Sequence, residues 1–288
     1  MDIIDKFLCD RLIRNDETLD QVCIRGISQI SLDRLCRTMR QSSNSVKALS
    51  FPYMHQVSDL APLADYLASP DCTLVRLHIS RTPADFCVLA CSLRINTSLQ
   101  DISITNCNLD NDIVTAFCEA LMVNKTLKDI GLQNCGIGNY GARAFATMLS
   151  HNESLRYVNL ISLNNKTAIT DEGAHTLCRV LEEHNVSLTT LSISDAAACP
   201  PRIKELLLYN KFGRKLLKHH NVPLGLWPLV FTRRPRLAWW HHPGEEVSSS
   251  STRIYYFLQM KAGELIASSR NRDNNSCSDS KQISSACA

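Results

Sequence analysis

Apolar residues recur along this chain in short segments of the form Leu-x-x-Leu-x-Leu, in which Ile, Val and Phe also occupy the apolar positions. The clearest segments begin at Leu99, Leu127 and Leu155, and each follows the one before it by 28 residues. Weaker copies extend the series in both directions. The segments begin at residues 19, 46, 74, 99, 127, 155 and 188. A period of this length is typical of a repeat protein, in which neighbouring units stack on one another.

The residues between these segments follow a helical spacing. Before Leu127, for example, Ile113, Phe117, Ala120 and Leu121 recur at helical intervals and would share one face of a helix. Each unit therefore predicts a short strand, a turn and a helix. Strand–helix–strand units give parallel strands with right-handed crossovers. We expect an α/β fold: a right-handed solenoid, or horseshoe, with a parallel sheet on its concave side and the helices outside.

Two repeats carry the same pair of residues after the strand. These pairs are Asn106-Cys107 and Asn134-Cys135, and such residues pack into the turn and satisfy backbone groups of the loop. With this pair, the 28-residue unit resembles the leucine-rich repeats of the ribonuclease-inhibitor type. The resemblance covers about residues 19–198, is strongest over 99–160, and implies the same horseshoe fold.

Beyond residue 200 the repeat pattern stops. Three segments follow, namely Asn-x-x-Gly-Arg from Asn210, Pro-Leu-Gly-Leu-Trp-Pro from Pro223 and Ile-Tyr-Tyr-Phe-Leu from Ile254. In this order they resemble the C-terminal part of uncharacterised leucine-rich-repeat proteins of diatoms and related algae, over about residues 202–260. This second resemblance implies no activity.

These patterns divide the chain into four parts. Residues 1–18 are predicted to form an N-terminal capping helix, and residues 19–198 a solenoid of about seven repeats. Residues 199–267 are predicted to form a basic, helical C-terminal capping module with a flexible loop near 241–252. Residues 268–288 are rich in Ser and Asn, and we expect them to be disordered.

The composition favours a globular protein of a reducing compartment. Of the 288 residues, 44% are hydrophobic and 20% charged, and the 13 cysteines are scattered and odd in number, which favours free thiols. The first ten residues carry several charges and no apolar stretch of the kind a secretory signal needs. We expect a cytoplasmic protein, with the nucleus as the alternative compartment, that is neither secreted nor membrane-spanning.

Three motifs that suggest chemistry have simpler explanations. Gly136-Ile-Gly138-Asn-Tyr-Gly141 matches a dinucleotide fingerprint but lacks the longer unit and the acidic residue that such a site needs, so we interpret it as a strand-to-helix turn. Cys87 and Cys91 have no second pair that would complete a zinc site. No nucleophile, metalloprotease or phosphate-loop motif occurs in the sequence. We therefore predict no enzyme activity, no catalytic residue, no cofactor, no metal and no small-molecule substrate.

Glycosylation motifs of the form Asn-x-Ser/Thr also follow the repeat. They begin at Asn96, Asn124, Asn152, Asn165 and Asn185, and four of these five asparagines lie three residues before a repeat start. We interpret them as part of the repeat, and expect asparagine there because it tolerates the left-handed conformation at the end of a helix.

The concave face is the first candidate binding surface. Side chains at motif positions two, three, five, seven and eight should point away from the core, and among them Tyr and Arg are typical anchors of protein interfaces. The candidate partner-binding residues are Tyr53, Arg76, His78, Asp101, Asn106, Lys128, Gln133, Arg156, Tyr157 and Asn159.

The C-terminal module is the second candidate, because its charge differs from that of the rest. The whole chain has a net charge of +3, yet residues 202–242 contain nine Lys or Arg and one acidic residue, Glu205. With its tryptophans, this segment has the means to bind nucleic acid or an anionic membrane. The candidate residues of the basic module are Arg214, Lys215, Lys218, Arg233, Arg234 and Arg236.

The sequence favours a non-enzymatic interaction protein whose concave face, with its C-terminal module, binds a protein partner. A regulatory or sensor protein, or a ubiquitin-ligase adaptor, is an alternative, as is binding of nucleic acid or anionic membrane through the basic segment. A third alternative is activation of a GTPase by a loop arginine, for which Arg76 and Arg81 are the candidates.

Overall fold

A computed structural model of the chain describes residues 3–42, 44–163, 168–193 and 201–211. Strands and helices alternate through these ranges. The strands are β1 Gln21–Arg25, β2 Ala48–Tyr53, β3 Arg76–Ser80, β4 Asp101–Thr105, β5 Asp129–Gln133, β6 Tyr157–Asn159 and β7 Thr190–Ser192. The helices are α1 Ile3–Ile13, α2 Gln29–Gln41, α3 Ala61–Leu67, α4 Cys87–Leu93, α5 Asn111–Val123, α6 Asn139–Leu149, α7 Asp171–Glu183 and α8 Pro201–Lys211.

The strands form one parallel sheet in the order of the sequence, from β1 to β7. The register places the fourth residue of each repeat segment next to the fourth residue of its neighbours. This row consists of Val22, Leu49, Leu77, Ile102, Ile130, Val158 and Leu191. Each helix from α1 to α7 packs against the next helix along the chain. The predicted α/β solenoid of stacked leucine-rich-repeat units is confirmed.

The apolar core lies between the sheet and the helices. In β4, Ile102 and Ile104 are buried while the residues that alternate with them are half-exposed, so one face of the strand packs on the helices. Phe117 of α5 and Phe145 of α6 are fully buried in the same core. Complete burial of one such side chain stabilises the folded state by about 1.5–3 kcal/mol. A single strand and helix could not bury these side chains without the neighbouring repeats.

Two helices, α3 and α4, are shorter than their neighbours α2 and α5. α3 and α4 have seven residues each and no side-chain cap at their start. By contrast, α5 has 13 residues and begins at Asp110, whose carboxylate accepts a hydrogen bond of 2.8 Å from the Ile113 amide.

The asparagines that precede the strands form a buried ladder, which we name the inner asparagine row (Asn96, Asn124, Asn152 and Asn185). Each Nδ2 atom donates to a carbonyl at the end of the preceding repeat's helix, as Asn152 does to Leu121 at 2.6 Å. Each Oδ1 atom accepts from the amides two and three residues further on.

The expected reason for these asparagines is therefore wrong. No member of the inner asparagine row has a positive φ, and Asn124 ends α5 with φ −67° and ψ 128°. They are needed because their amides satisfy backbone groups that the core would otherwise leave unpaired. The side chains of the inner asparagine row are also buried, which agrees with the interpretation of these four motifs as part of the repeat rather than as glycosylation sites. The fifth motif, at Asn165, lies outside the described residues.

The cysteines after β4 and β5 fill the turns as predicted. Cys107 and Cys135 are buried, and the Cys135 thiol donates to the carbonyls of Ile104 and Gln133 at 3.4 and 3.3 Å. Burial raises the pKa of the Cys135 thiol to about 12. This thiol therefore stays protonated and serves packing rather than chemistry.

Candidate functional site

The sheet face that points away from the helices, here called the open face, carries the predicted partner-binding residues. The third and fifth positions of each repeat segment lie on it, and adjacent strands align these positions into rows. The third positions form the row Gln21, Ala48, Arg76, Asp101, Asp129, Tyr157 and Thr190. The fifth positions form the row Cys23, Ser50, His78, Ser103, Gly131, Asn159 and Ser192.

Opposite charges meet in the row of third positions. Arg76 pairs in register with Asp101, which in turn pairs with Asp129. Burial raises the pKa of the Asp101 carboxyl, an effect that the nearby Arg76 opposes. Burial and the neighbouring Asp101 both raise the pKa of the Asp129 carboxyl. The middle of the open face thus holds two carboxylates side by side, with an exposed arginine next to them.

His78 lies in the row of fifth positions on β3 and is half-buried. Burial lowers the pKa of its imidazole, which favours the neutral form. Its neighbours in the row, Ser50 and Ser103, have small side chains, so they project little from the sheet on either side of His78. At Gly131 the row has no side chain at all, and a Cβ there would lie 3.6 Å from the Ser103 Oγ.

Tyr53 lies at the end of β2 between two arginines. The Cζ atom of Arg81 is 4.8 Å from the centre of the Tyr53 ring, and that of Arg25 is 5.8 Å from it. The ring of His55 follows at 6.1 Å between centroids. Guanidinium–ring contacts at these distances are attractive, so Arg25, Tyr53 and Arg81 restrict the side-chain conformations of one another.

Past the ends of the next strands, polar side chains contact one another along the same edge. Arg81, Asn106 and Asn134 adopt positive φ values of 55°, 55° and 54°. Asn134 donates from Nδ2 to Oδ1 of Asn106 at 3.2 Å, and its own Oδ1 accepts from the Leu163 amide at 2.7 Å. Gln133, the residue before, is exposed.

The other predicted residues of the face are largely engaged by their own chain. Arg156 donates from Nη1 to the carbonyls of Glu153 and Ser187 at 3.1 and 3.0 Å. Asn159 is buried and donates to the Tyr157 hydroxyl at 3.0 Å. Lys128 donates to the Lys125 carbonyl at 3.2 Å. These contacts give Arg156 and Asn159 a structural role in the last repeats.

The structure thus brings some predicted residues together and separates others. Tyr53 contacts Arg81, and Arg76 adjoins Asp101, whereas these two groups lie at opposite ends of the strands. Arg25 was missed as a site residue. Its position at the end of β1 is the feature that could have indicated it, because a register shift there places Arg25 beside Tyr53.

Of the predicted basic module at 199–267, the structure describes only residues 201–211, which form α8, and the rest lies outside the described residues. This applies to all six of its cations, to the loop near 241–252 and to the tail at 268–288. Its candidate cations are Arg214, Lys215, Lys218, Arg233, Arg234 and Arg236. They stay a prediction of the sequence.

Packing and turn geometry explain the glycine motif that resembles a nucleotide site. Gly136 has a φ of 79°, which favours glycine, and a Cβ at Gly141 would collide with Ile137. Gly138 precedes α6 as its cap. Within the described ranges, no three His, Cys, Asp or Glu side chains are grouped as metal ligands. No helix in this part of the chain is long and apolar enough to cross a membrane.

No protein-family model and no curated protein matches this sequence. Among solved structures, the chain is similar to the tropomodulin C-terminal domain of Caenorhabditis elegans, with 16% identity and a TM-score of 0.37 over 62% of this chain and 91% of that one. It is also similar to leiomodin-1 actin-binding site 2, with 18% identity and a TM-score of 0.32 over 76% of this chain and 95% of that one. The fold is assigned from the strand order and register of this chain itself.

Proposed function

We propose that this chain is a non-enzymatic protein-binding scaffold that uses the open face of its sheet to bind a protein partner. We also propose that its repeats are of the ribonuclease-inhibitor type, since a helix follows each of the strands β1 to β6 and buried cysteines fill two of the turns. Buried free thiols such as Cys36 and Cys118, whose pKa values burial raises to about 12, suit a reducing compartment such as the cytoplasm.

The fixed rows of charged side chains on the open face carry the proposal. On the helical side of the described residues, some exposed charges form ion pairs, such as Arg143 with Glu172 at 2.8 Å and Arg202 with Glu182 at 3.0 Å, whereas others, such as Arg37, form none within 4.0 Å. On the open face, Arg76, Asp101 and Asp129 form no ion pair within 4.0 Å in the described part of the chain. Arg76 and Asp129 hold fixed places in this row without an ion pair, so they are available to a partner of complementary charge, which gives specificity and fast association.

The test compares two variants of the full chain that leave its net charge unchanged. The first reverses charges on the open face with Arg76→Glu and Asp129→Lys. The second, as the control, reverses charges on outer helices with Arg37→Glu and Glu119→Lys, both of which are exposed. Each variant and the unmodified protein are used to capture partners from a cell lysate, and the partners are quantified by mass spectrometry.

We expect partners that the unmodified protein and the helix variant recover equally to fall about tenfold or more with the open-face variant, because reversed charges repel where they attracted. Equal recovery by all three proteins would contradict the proposal. Selective loss with the helix variant would place binding on the outer helices instead.

A further inference from the structure

The ends of the first three strands build a cationic cluster that the described residues at the ends of the later strands do not repeat. Arg25 ends β1, Tyr53 ends β2 and Arg81 directly follows β3; we name these residues the Arg–Tyr–Arg cluster. The backbone around them is fixed by hydrogen bonds from the Gly26 amide to the Tyr53 carbonyl at 2.9 Å and from the Arg81 amide to the Thr105 carbonyl at 3.1 Å. The cluster is therefore a preformed feature of the fold.

Both guanidinium groups have their hydrogen-bond donors available. Within the described residues, neither Arg25 nor Arg81 forms an ion pair or donates a side-chain hydrogen bond, and both residues are exposed. The contact with the ring of Tyr53 orients them without using an N–H group. A guanidinium presents donors in a fork that matches the two oxygens of a carboxylate.

The size of the cluster limits what it can bind. Arg25 and Arg81 are separated by two strand spacings, which is about 10 Å. Further along the same edge, the corresponding residues are the neutral Asn106 and Asn134, which bind each other. Toward the other end of the strands, the open face carries the carboxylates of Asp101 and Asp129. A long polyanion, such as a nucleic acid or a membrane surface, would meet these carboxylates, whereas a short acidic segment would not.

We propose that the Arg–Tyr–Arg cluster binds a short acidic segment of a protein partner, whose carboxylates are held by Arg25 and Arg81. This inference rests on the proposed function, because it names the chemistry of the partner that the open face receives. In an extended segment, side chains two residues apart point the same way and lie about 7 Å apart, which is close enough for each to meet one arginine.

The probe is a capped six-residue peptide of alternating glutamate and glycine, and its control is the same peptide with glutamine. Each is titrated into the full-length protein while the arginine Nε–H signals are followed by NMR. We expect the glutamate peptide to shift the signals of Arg25 and Arg81, and the glutamine peptide to leave them unchanged. No shift at millimolar peptide, or equal shifts with glutamine, would overturn the inference.

Variants locate the site. Arg25→Gln or Arg81→Gln should weaken binding about three- to tenfold, as expected for the loss of one charged contact at an exposed site. Tyr53→Phe should retain binding because the ring is kept, whereas Tyr53→Leu should weaken it about two- to threefold through lost orientation. The matched control is Arg179→Gln, an exposed arginine of α7. An equal loss with this control would show that binding depends on net charge alone and would overturn the inference.

Other anions test whether the cluster prefers a different class of ligand. Inorganic phosphate, a single-stranded oligonucleotide and vesicles with anionic lipid are titrated in parallel. Tighter binding of any of these than of the glutamate peptide, with the same response to Arg81→Gln, would overturn the assignment to an acidic protein segment.

This experiment can fail separately from the test of the proposed function. If partner capture responds to charge reversal at Arg76 and Asp129 but the peptide does not bind the cluster, the inference fails and the scaffold proposal stands. If the peptide binds but capture does not respond, the cluster is an anion site and the scaffold proposal fails.

Discussion

Asparagines recur at both ends of the strands, before some strands begin and after some end, but their side chains act differently at the two ends. Where the strands begin, the inner asparagine row is buried, and its amides bind backbone groups of two successive repeats. Where the strands end, Asn106 and Asn134 are exposed or half-buried and adopt a positive φ. Burial and backbone conformation, rather than residue type or period, therefore decide what an asparagine contributes to a repeat.

The largest loss of stability should come from a substitution in the inner asparagine row. Asn152→Ala removes hydrogen bonds to the Leu121 and Asn124 carbonyls and from the Ser154 and Leu155 amides. Because these groups are buried and would lose their partners, we expect a loss of about 2–4 kcal/mol in the free energy of unfolding. Urea unfolding followed by circular dichroism measures it. A loss below that of Asn134→Ala would remove the distinction between the two ends of the strands.

A smaller effect separates conformation from hydrogen bonding where the strands end. At Asn134, where φ is 54°, glycine should be about 1 kcal/mol more stable than alanine because it adopts this conformation without strain. At Asn152, which has no positive φ, glycine should give no such recovery over alanine. Thermal unfolding of the four variants tests both statements. A glycine advantage of the same size at both positions would contradict the proposed cause.

The smallest effect concerns the carboxylates that lie between the two ends of the strands. The pKa values of Asp101 and Asp129 are raised in the folded chain, so the folded state binds protons more tightly than the unfolded state. Stability should therefore fall as the pH rises through the range between the ordinary carboxyl pKa and the raised one. Asp129→Asn should stabilise the protein by about 0.2–1 kcal/mol at neutral pH, because it removes a charge that is partly buried and that is repelled by the neighbouring Asp101.

This gain from Asp129→Asn should disappear below the ordinary carboxyl pKa of about 4, where the native carboxyls are already protonated. Unfolding at several pH values measures it, with Asp71→Asn, an exposed loop residue, as the control. A gain that is independent of pH would show that packing, not charge, is the cause.

Much of the fold follows from the sequence because burial is periodic. The fourth residue of every repeat segment was predicted to lie in a strand, and Val22 through Leu191 indeed form one row of the sheet. The function of the inner asparagine row was not predictable, because period alone does not distinguish a hydrogen-bonded amide from a left-handed turn. Arg25 was missed for a different reason: the register shift between Cys23 and Arg25 brings it beside Tyr53, and no spacing rule contains that irregularity.

The inner asparagine row also determines how an array like this can change length. Asn124 donates to the carbonyl of Asn96, and Asn152 donates to that of Asn124, each across 28 residues. The row thus has a direction, in which every repeat supplies donors to the repeat before it. A duplication or deletion keeps this pattern of bonds only if its length equals one or more whole repeats, because only then does each asparagine still meet the corresponding carbonyl of the repeat before it. The position within the repeat at which such an event begins does not matter.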